Sequence, residues 1–264
     1  MARLAMVGAG LMGEAILSGL RNAGWAGADI VVCDLRAGRV AELRDRYDVL
    51  GADLVEAVGD ARTVLLAVKP HDVGSVLEQI RPALAEGALL LSVCAGVTLA
   101  TLEAGLDDGT PVVRAMPNTP ARVGQGITAI SPGAYATPDH LEEVTEILGA
   151  VGEVVTVAEK LQDSVTAVSG SGPAYVFLIA EALIEGGVHL GLSRAVARDL
   201  VVQTLRGSAT LLHESGEHPA LLREAVTSPG GTTAAALRTL EDHGVRAAFL
   251  AAVEAARDRS IELG

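Results

Sequence analysis

The hydrophobic pattern of this chain changes once, near residue 158. Before that point, short apolar runs alternate with amphipathic segments, as strands alternate with helices. This alternation predicts right-handed crossovers and a mostly parallel sheet with both faces covered, a Rossmann-like α/β domain. After residue 158 every segment has a helical pattern, so we expect an all-α region. The two domains would span residues 1–158 and 159–264.

The apolar runs also place the individual elements. They predict strands over residues 3–7, 29–34, 63–68, 88–93, 111–115, 125–131 and 153–157. The helical patterns of the first domain lie over residues 11–23, 37–46, 71–84, 98–106 and 138–151. Those of the second domain lie over residues 160–168, 173–190, 194–213, 233–243 and 245–263.

The segment 173–190 is unusually apolar and has almost no polar residue before Glu181. Aromatic residues make up only 2% of the chain, so its helices must pack mainly through small and aliphatic side chains. A helix that is apolar on several faces is either central in a bundle or covered by another subunit. We favour a dimer interface, and an ordinary central helix in a monomer is the alternative.

Charge and cysteine content restrict the partners. The formal net charge is −13, which disfavours binding to a nucleic-acid backbone. Cys33 and Cys94 stand far apart, without disulfide or metal-ligand spacing, and we expect no metal. The longest apolar run, 88–97, is too short to span a membrane, and no secretory signal pattern follows Met1. We therefore expect a cytoplasmic protein that does not bind membranes.

The stretch "VGAGLMGEA" carries the first functional signal. Gly8, Gly10 and Gly13 have G-x-G-x-x-G spacing directly after the first strand and at the start of the first helix. In that context the first glycine permits a tight turn, the second lets the backbone approach a pyrophosphate, and the third allows close helix–strand packing. The helix N-terminus would face the phosphates. A purely structural glycine turn is the alternative.

The end of the second strand, "VCDLR", leaves the choice of cofactor open. Asp34 can bind the adenosine ribose hydroxyls and favour NAD, whereas Arg36 can pair with a 2′-phosphate and favour NADP. Arg39 could assist Arg36, although a solvated helix residue is the simpler interpretation. Lys69, in "AVKPHD", follows another strand at the same edge of the sheet and is either a cofactor contact or a solvated bystander.

The late stretch "TSPGGTT" precedes an alanine-rich helix. An ordinary helix cap needs only one Ser, Thr or Asp. Ser228, Pro229, Gly230 and Gly231 form a turn whose amides can point one way, and unpaired amides follow at the helix start. This arrangement indicates a site for a small anion such as a carboxylate.

Three stretches, "RAMPNTP", "VSGSGPAY" and "TSPGGTT", closely resemble those of the pyrroline-5-carboxylate reductase family, together with "GAGLMG" and "AVKP". The resemblance covers nearly the whole chain in order. It implies reduction of L-1-pyrroline-5-carboxylate, a small-molecule substrate, to L-proline by NAD(P)H, the last step of proline biosynthesis. It also implies a helical substrate-binding and dimerisation domain over 159–264, forming a homodimer and in some members a ring of dimers such as a decamer.

The family's motifs, carried over by position, and the residues at the strand ends together give the predicted site. NADPH, with NADH as a possible alternative, would contact Gly8, Gly10, Leu11, Met12, Gly13, Asp34, Arg36, Ala67, Val68, Lys69, Pro70, Cys94, Ala95, Gly96 and Asn118. The substrate would contact Ser228, Gly230, Gly231, Thr232 and Thr233.

The chain also departs from the family's pattern. Asp34 stands where many members carry a neutral residue. Leu54 falls near a place where some members carry a cofactor-contacting asparagine, and Ala225 stands where some carry another asparagine, just before "TSPGG".

The resemblance also implies which side chains take part in the chemistry. Thr233 would be the catalytic residue and would contact the ring nitrogen. No strong nucleophile is needed, because the imine carbon accepts hydride once the ring is positioned against the cofactor. Glu159 could be a second polar group, although an exposed glutamate at a helix start is the simpler interpretation. For "VSGSGPAY", Pro173 suits the first position of a helix capped by Ser171 or Gly172, and contact with the active site is the alternative.

Two other functions compete with this one. A 3-hydroxyacid dehydrogenase also joins a Rossmann domain to a helical one, but it would want a basic residue in the helical domain. Only Lys160 is available there among lysines, and no fitting motif surrounds it. A non-catalytic dinucleotide sensor would have little use for "TSPGGTT".

Overall fold

The computed structural model describes residues 2–263 and contains two compact units. The first comprises the chain up to Ser171 together with the C-terminal segment that begins at Ala256, and the second is Gly172–Ala255. The first unit contains one eight-stranded sheet of order β3-β2-β1-β4-β5-β6-β7-β8. Its strands are β1 Ala2–Val7, β2 Ile30–Cys33, β3 Leu50–Gly51, β4 Ala61–Leu66, β5 Leu89–Ser92, β6 Val112–Met116, β7 Gly126–Pro132 and β8 Gly152–Thr156.

The helices of the first unit lie between these strands, except α7, which follows β8. They are α1 Leu11–Asn22, α2 Ala37–Tyr47, α3 Leu54–Gly59, α4 Val73–Ile80, α5 Leu99–Ala104, α6 Pro138–Gly149 and α7 Gln162–Val165, followed by a π turn at Thr166–Gly170. The later helices are α8 Gly172–His189, α9 Arg194–Ser215, α10 Pro219–Ala225, α11 Thr232–Asp242 and α12 Val245–Leu263. A mostly parallel sheet followed by helices is the architecture that the hydrophobic pattern predicts, and this prediction is confirmed.

The strand order fixes where a ligand can bind. The six strands β1–β6 pair in parallel, and the order reverses between β1 and β4. In such sheets the crevice at the carboxyl ends of the strands flanking the reversal binds nucleotides. Val7, the last residue of β1, pairs with Leu66, the last residue of β4, and with Cys33 at the end of β2. The loops that follow these strands therefore emerge at one edge.

Both faces of the sheet are buried at its centre, as parallel strands require. Along β1, Leu4 and Met6 belong to one hydrophobic cluster, and Ala5 and Val7 belong to the other. Because side chains alternate along a strand, each cluster lies on its own face. The helix α6 packs its Val144 and neighbours into the first cluster.

Three short elements are absent from the sequence-based prediction. Strand β3 has only two residues, which is too short for a period to show. Helix α3 follows Asp53, whose side chain accepts a hydrogen bond from the N–H of Glu56, so a capping signal was present in the sequence. Helix α10 begins with Pro219 after a cap by His218, a start signal that the polar stretch 215–219 obscured.

The segment after residue 158 is tied to the sheet. The buried Gln162 donates through Nε2 to Ser131 Oγ at 2.8 Å and to the carbonyl oxygen of Ala129 at 3.3 Å. Ser260 Oγ donates to the Asp163 carboxylate at 2.7 Å. These bonds explain why residues 159–171 belong to the first compact unit. The division into domains 1–158 and 159–264 stays a prediction about function and assembly.

One helical run, Glu159–His189, is the only stretch within residues 2–263 long and apolar enough to cross a membrane by length and composition. The patterns at 160–168 and 173–190 predicted two separate helices, so this continuous run was not expected. The apolar run 88–97, too short to span a membrane, is a different segment. Length and composition do not distinguish a membrane span from a helix covered by another subunit. Few residues of the run's most apolar window are buried within the chain.

Candidate functional site

The glycine-rich turn after β1 needs two of its glycines for packing. Gly8 has φ +90°, and a Cβ there would lie 2.7 Å from the carbonyl oxygen of Ala67. A Cβ on Gly13 would lie 2.6 Å from the carbonyl oxygen of Gly8, so helix α1 packs directly on the turn. Gly10 has φ −70°, and a Cβ there would meet no atom within 4 Å. The packing of the chain gives no reason for a glycine at position 10, so open space lies beside this part of the turn.

The N-terminus of α1 is free to receive an anion. The N-cap residue of α1 is Gly10, which has no side chain. The N–H groups of the first turn of α1 therefore have no side-chain acceptor from the cap. Leu11 is exposed and Met12 is half-buried at the same end. A pyrophosphate placed there would meet N–H groups and the positive end of the helix dipole.

Asp34 is already engaged by its own chain. Its Oδ2 accepts the N–H of Ala9 at 2.9 Å, and its Oδ1 accepts the N–H and Nε–H of Arg36 at 3.0 and 3.2 Å. Burial raises the pKa of Asp34, but the N–H groups of Arg36 and Ala9 lower that pKa by more, so it lies below its usual value. The carboxylate therefore holds the turn and orients Arg36, whose side chain is 69% exposed.

Arg39 is not the solvated helix residue that we expected. Its side chain is only 14% exposed, and its Nε donates to the carbonyl oxygen of Ala9 at 2.9 Å. The guanidinium also pairs with Glu14 on α1 and with Glu42 one turn further along α2. The hydrogen bond from Arg39 lowers the pKa of Glu14. Arg39 thus joins α2 to the glycine turn, because the short stretch between Asp34 and α2 brings it close to that turn.

The loops after β4 and β5 lie beside the glycine turn. The buried thiol of Cys94 donates to the carbonyl oxygens of Leu66 and Val68, both at 3.4 Å, and burial raises the pKa of that thiol. The thiol therefore fastens one loop to the other. Lys69 is exposed, and its side-chain ammonium has no ion pair or hydrogen bond within residues 2–263.

The remaining residues assigned to these two loops differ in exposure. Ala67 and Val68 are half-buried, Pro70 and Ala95 are exposed, and Gly96 is half-buried with φ +77°. Their backbone lies at the carboxyl edge of the sheet, beside the reversal of strand order.

The structure brings "RAMPNTP" and "VSGSGPAY" together. Asn118 Nδ2 donates to the carbonyl oxygen of Ser169 at 3.2 Å, and its Oδ1 accepts the N–H of Ile127 at 3.0 Å. A Cβ on Gly170 would lie 2.7 Å from Met116 Cε, so Gly170 allows this close approach. Asn118 is buried and its amide is used on both sides by the chain.

The stretch "VSGSGPAY" lies within one helical run, Glu159–His189, and does not start a new helix after a break in the chain. Ser171 has α-helical φ and ψ, Gly172 is the first residue of α8, and the π turn leads straight into it. The N–H of Ser171 donates to the carbonyl oxygen of Thr166, five residues back. Pro173 has no N–H, and the wider preceding turn accommodates its ring, so the predicted cap by Ser171 or Gly172 was wrong. Such π turns are frequent at functional sites.

Glu159 is a bonded residue rather than an exposed glutamate at a helix start. Its Oε1 accepts the N–H of Leu99 at 2.6 Å and Nη1 of the buried Arg114 at 3.0 Å. Leu99 is the first residue of α5, just after the "VCAG" loop, and Arg114 lies on β6 before Met116. Glu159 therefore links two loop-bearing segments to the helical run. Arg114 has no role among the predicted site residues, although an arginine inside an apolar strand pattern was the available signal.

The "TSPGGTT" stretch lies in the second unit. Gly230 has φ +70°, and the N–H of Gly231 donates to the carbonyl oxygen of Ser228 at 3.0 Å. Helix α11 begins at Thr232. Its N-cap residue is Gly231, so no side-chain oxygen caps the helix. The hydroxyls of Ser228, Thr232 and Thr233 have no partner in the described part of the chain. Because no side chain caps α11, the plain helix-cap interpretation loses its support.

The two departures from the family's pattern occupy structural positions. Leu54 begins α3 and packs against one hydrophobic cluster of the sheet, and Ala225 ends α10. Among residues 2–263, no three His, Cys, Asp or Glu side chains are grouped to hold a metal ion.

Two family models match the chain. The model described as pyrroline-5-carboxylate reductase dimerisation matches residues 159–263. The model described as NADP oxidoreductase, coenzyme F420-dependent, matches residues 3–96, which hold the glycine turn and the loops after β2, β4 and β5. The helical region therefore carries a dimerisation domain, and the sheet region carries an NADP oxidoreductase fold.

Full-length relatives agree. Pyrroline-5-carboxylate reductase from Mycobacterium tuberculosis is 49% identical over 286 aligned positions, covering 100% of this chain and 97% of the relative. The solved structure of the Coxiella burnetii reductase is 36% identical, with TM-score 0.95 and coverage of 100% and 98% of the two chains. The Plasmodium falciparum reductase, solved with NADP bound, is 32% identical with TM-score 0.89 and the same coverage. This chain belongs to the pyrroline-5-carboxylate reductase family.

Proposed function

We infer that this protein reduces L-1-pyrroline-5-carboxylate to L-proline with NADPH as the hydride donor, the last step of proline biosynthesis. The observation that carries the inference is a full-length relationship, at 49% identity, to a reductase of that name. The NADP bound to the Plasmodium falciparum relative supports the cofactor. The residues of this chain fit both molecules, as follows.

The glycine turn and its neighbours would hold the dinucleotide. Gly10 has room for a pyrophosphate to approach, and Leu11 and Met12 begin the helix that faces it. Arg36 is the exposed cation at the tip of β2, and its Nε is fixed by Asp34 while the outer guanidinium nitrogens remain to meet a 2′-phosphate. Arg39 is committed to Ala9, Glu14 and Glu42 and does not serve this purpose. These features favour NADPH, with NADH as a weaker alternative.

The loops on the same edge would complete the cofactor site. The backbone of Ala67, Val68 and Pro70, and that of Cys94, Ala95 and Gly96, would line the middle of the dinucleotide. Lys69 is unpaired within residues 2–263 and can reach a phosphate. Asn118 would support the cofactor site by its position beside Ser169, since its Nδ2 and Oδ1 atoms are both already hydrogen-bonded within the chain.

The "TSPGGTT" turn would cradle the substrate carboxylate. The turn at Gly230 and Gly231 leads into the uncapped first turn of α11, where N–H groups lack partners by geometry. Ser228 and Thr232 add exposed hydroxyls. Several converging donors and the helix dipole suit one carboxylate group.

Thr233 would hold the ring nitrogen. When bound, NADPH supplies the hydride that reaches the imine carbon. The imine accepts hydride better when its nitrogen is protonated or hydrogen-bonded, and the product is the ring amine. The half-buried Thr233 hydroxyl has no partner in the described residues and can hydrogen-bond that nitrogen. Most of the rate would come from positioning, because no nucleophile is required.

Assembly and location follow from the same inference. The dimerisation domain indicates a homo-oligomer, and we propose a homodimer through the helical domain at 159–264, with a ring of dimers such as a decamer as the larger form. We further propose a cytoplasmic protein that binds neither nucleic acid nor membrane. The charge of −13 supports the first exclusion, and a subunit contact for the helix at Glu159–His189 supports the second.

The direct test is oxidation of NADPH and NADH by the purified protein with and without pyrroline-5-carboxylate. We expect oxidation only when the substrate is present, and faster oxidation of NADPH. A parallel assay of 3-hydroxy acid oxidation tests the dehydrogenase alternative. Activity on 3-hydroxy acids alone, or cofactor binding without turnover, would contradict the proposal.

A further inference from the structure

Three buried polar side chains form a row across the sheet, which we call the polar seam. Ser92 on β5 pairs with Arg114 on β6, and Arg114 pairs with Ser131 on β7. Paired residues on neighbouring strands point to the same face, so the three side chains lie side by side. Ser92 and Ser131 are fully buried, and Arg114 is 6% exposed. The next pair on the same face, Leu90 and Val112, belongs to a hydrophobic cluster, so the polar seam interrupts an apolar layer.

The start of the helical run is bonded to the polar seam. Ser131 Oγ donates to the carbonyl oxygen of Val157 at 2.9 Å and accepts Nε2 of the buried Gln162 at 2.8 Å. On the neighbouring strand, Nη1 of Arg114 donates to Oε1 of Glu159 at 3.0 Å. One short segment of the chain therefore contacts the polar seam at two of its three members.

The polar seam also reaches the loops at the carboxyl edge of the sheet. Ser92 Oγ accepts the N–H of Cys94 at 3.3 Å, at the start of the loop after β5. The same Oε1 of Glu159 that accepts from Arg114 accepts the N–H of Leu99 at 2.6 Å, where that loop ends. Arg114 itself stands two residues before the end of β6. The loops after β5 and β6 are thus both attached to the polar seam.

The polar seam is a costly way to hold a sheet together. A buried ion pair is often no more stabilising than apolar side chains of similar volume. In addition, Oε1 of Gln162 is buried and has no hydrogen-bond partner within residues 2–263, which lowers stability. Hydrogen bonds fix distances and directions, whereas hydrophobic contacts are non-directional. These features indicate that the polar seam fixes the positions of its neighbours more than it adds stability.

We propose that Arg114 is a positioning residue for cofactor binding. Together with Ser131 and Gln162, it holds the loops after β5 and β6 at the spacing that NADPH requires. Arg114 acts through β6 and through Glu159, and it need not touch the cofactor. The inference rests on the proposed use of NADPH and does not depend on which substrate is reduced.

The first test is a fluorescence titration of full-length variants with NADPH, in the absence of substrate. Arg114→Met should raise the dissociation constant for NADPH about tenfold, the size of effect found for residues that act through a neighbour. Arg114→Lys keeps the charge and a donor group and should recover part of the affinity. Unchanged affinity in Arg114→Met would overturn the proposal. If the unmodified protein did not bind NADPH, the proposed function would fail as well.

Two hydroxyl deletions separate positioning from stability. Ser131→Ala removes a fully buried hydroxyl of the polar seam. Thr63→Val removes a fully buried hydroxyl of β4 on the opposite face, where it donates to Glu143 of α6. Both variants should lower the midpoint of thermal unfolding. Only Ser131→Ala should raise the dissociation constant for NADPH, by about threefold or more. Equal NADPH affinities of the two variants would overturn the proposal.

A further measurement needs no variant and so does not depend on a variant folding. Addition of NADPH to the unmodified protein should slow hydrogen exchange at the amides of Leu161 and Gln162, as well as at those of Cys94 and Leu99. The polar seam joins these two groups of residues, so ordering the loops should also order the start of the helical run. Slower exchange at Cys94 and Leu99 alone would overturn the proposal.

Discussion

The carboxylate of Asp34 lies 2.9 Å from the backbone nitrogen of Ala9, inside the glycine-rich turn. Arg39 holds the carbonyl oxygen of the same Ala9 at 2.9 Å. The second residue of the turn is thus held on both sides by side chains from the neighbouring β2–α2 segment. Asp34 holds the glycine turn, whereas the acidic residue at this place in many NAD enzymes binds the ribose.

The first prediction follows from this contact. Asp34→Ala should raise KM for both NADPH and NADH, by about tenfold or more, because hydrogen bonds to a charged group contribute roughly 1.5–3 kcal/mol. Asp34→Asn keeps one acceptor and should be milder. Steady-state kinetics with both cofactors measures the effect. A raised KM for NADH alone would show that Asp34 binds the ribose instead.

The ionisation of Asp34 gives the sign of a pH effect. Its pKa lies below its usual value, so the carboxylate stabilises the folded protein fully above its unfolded pKa. This contribution is lost as the pH falls through the lower folded pKa. Between about pH 6 and 9 this contribution to stability should therefore be constant. The decrease in the free energy of unfolding caused by Asp34→Ala should not vary with pH in that range.

Arg36 provides a second prediction. Arg36→Ala should weaken NADPH more than NADH, because only NADPH carries a 2′-phosphate. Arg39→Ala is the matched control. It removes the contacts to Ala9, Glu14 and Glu42 and should weaken both cofactors alike. Equal losses for the two cofactors in Arg36→Ala would show that Arg36 does not contact the phosphate.

Gly8 and Gly10, the first two glycines of the turn, should respond differently to alanine. Gly8→Ala combines a positive φ with a clash against Ala67 and should lower the free energy of unfolding by about 1–3 kcal/mol or more. Gly10→Ala meets no atom and should unfold normally, yet bind NADPH more weakly. Thermal unfolding and cofactor titration separate the effects. Normal NADPH binding by Gly10→Ala would contradict a pyrophosphate at this position.

Glu159 is a positioning residue in our interpretation. Glu159→Ala frees the N–H of Leu99 and leaves the buried Arg114 without this carboxylate. We expect about tenfold faster hydrogen exchange at the Leu99 amide and a higher KM for NADPH, because the "VCAG" loop loses its support. Glu159→Gln keeps an oxygen acceptor and should restore much of both properties.

Glu103→Ala is the matched control for Glu159. Glu103 lies on α5, and its carboxylate also accepts a backbone N–H, that of Ala134 at 2.7 Å, away from the cofactor loops. This variant should expose the Ala134 amide to exchange and leave KM for NADPH unchanged. Equal increases in KM for Glu103→Ala and Glu159→Ala would reduce the role of Glu159 to general stability.

Much of the fold could be predicted from the sequence because its strongest signals are local. The strand β1, the glycine turn and helix α1 all follow from periodicity and from G-x-G-x-x-G spacing. The two-residue strand β3 could not be predicted, since it exists only through pairing with Val31 and Val32. The continuity of Glu159–His189 was also missed, because glycines and Pro173 suggested a break that a π turn removes.

The site was predictable in its motifs but not in its internal contacts. Sequence spacing identified Asp34 and Arg36 as candidates, but it could not show that the Asp34 carboxylate is already bonded to Ala9. The same limit applies to Arg39, whose partners Glu14 and Ala9 are distant in sequence. Such pairs depend on tertiary packing, which no local period encodes.

The most direct measurement is steady-state, pyrroline-5-carboxylate-dependent NADPH oxidation by the unmodified protein and by Thr233→Ala, Thr233→Ser and Thr232→Ala, with NADPH binding measured separately. We expect activity in the unmodified protein and a loss of about 10²-fold or more in Thr233→Ala, since the contact to nitrogen is needed most as hydride arrives. Thr233→Ser should retain much of the activity, Thr232→Ala should be milder, and NADPH affinity should be unchanged. Near-normal turnover by Thr233→Ala would contradict the catalytic role and leave "TSPGGTT" as a carboxylate cradle alone.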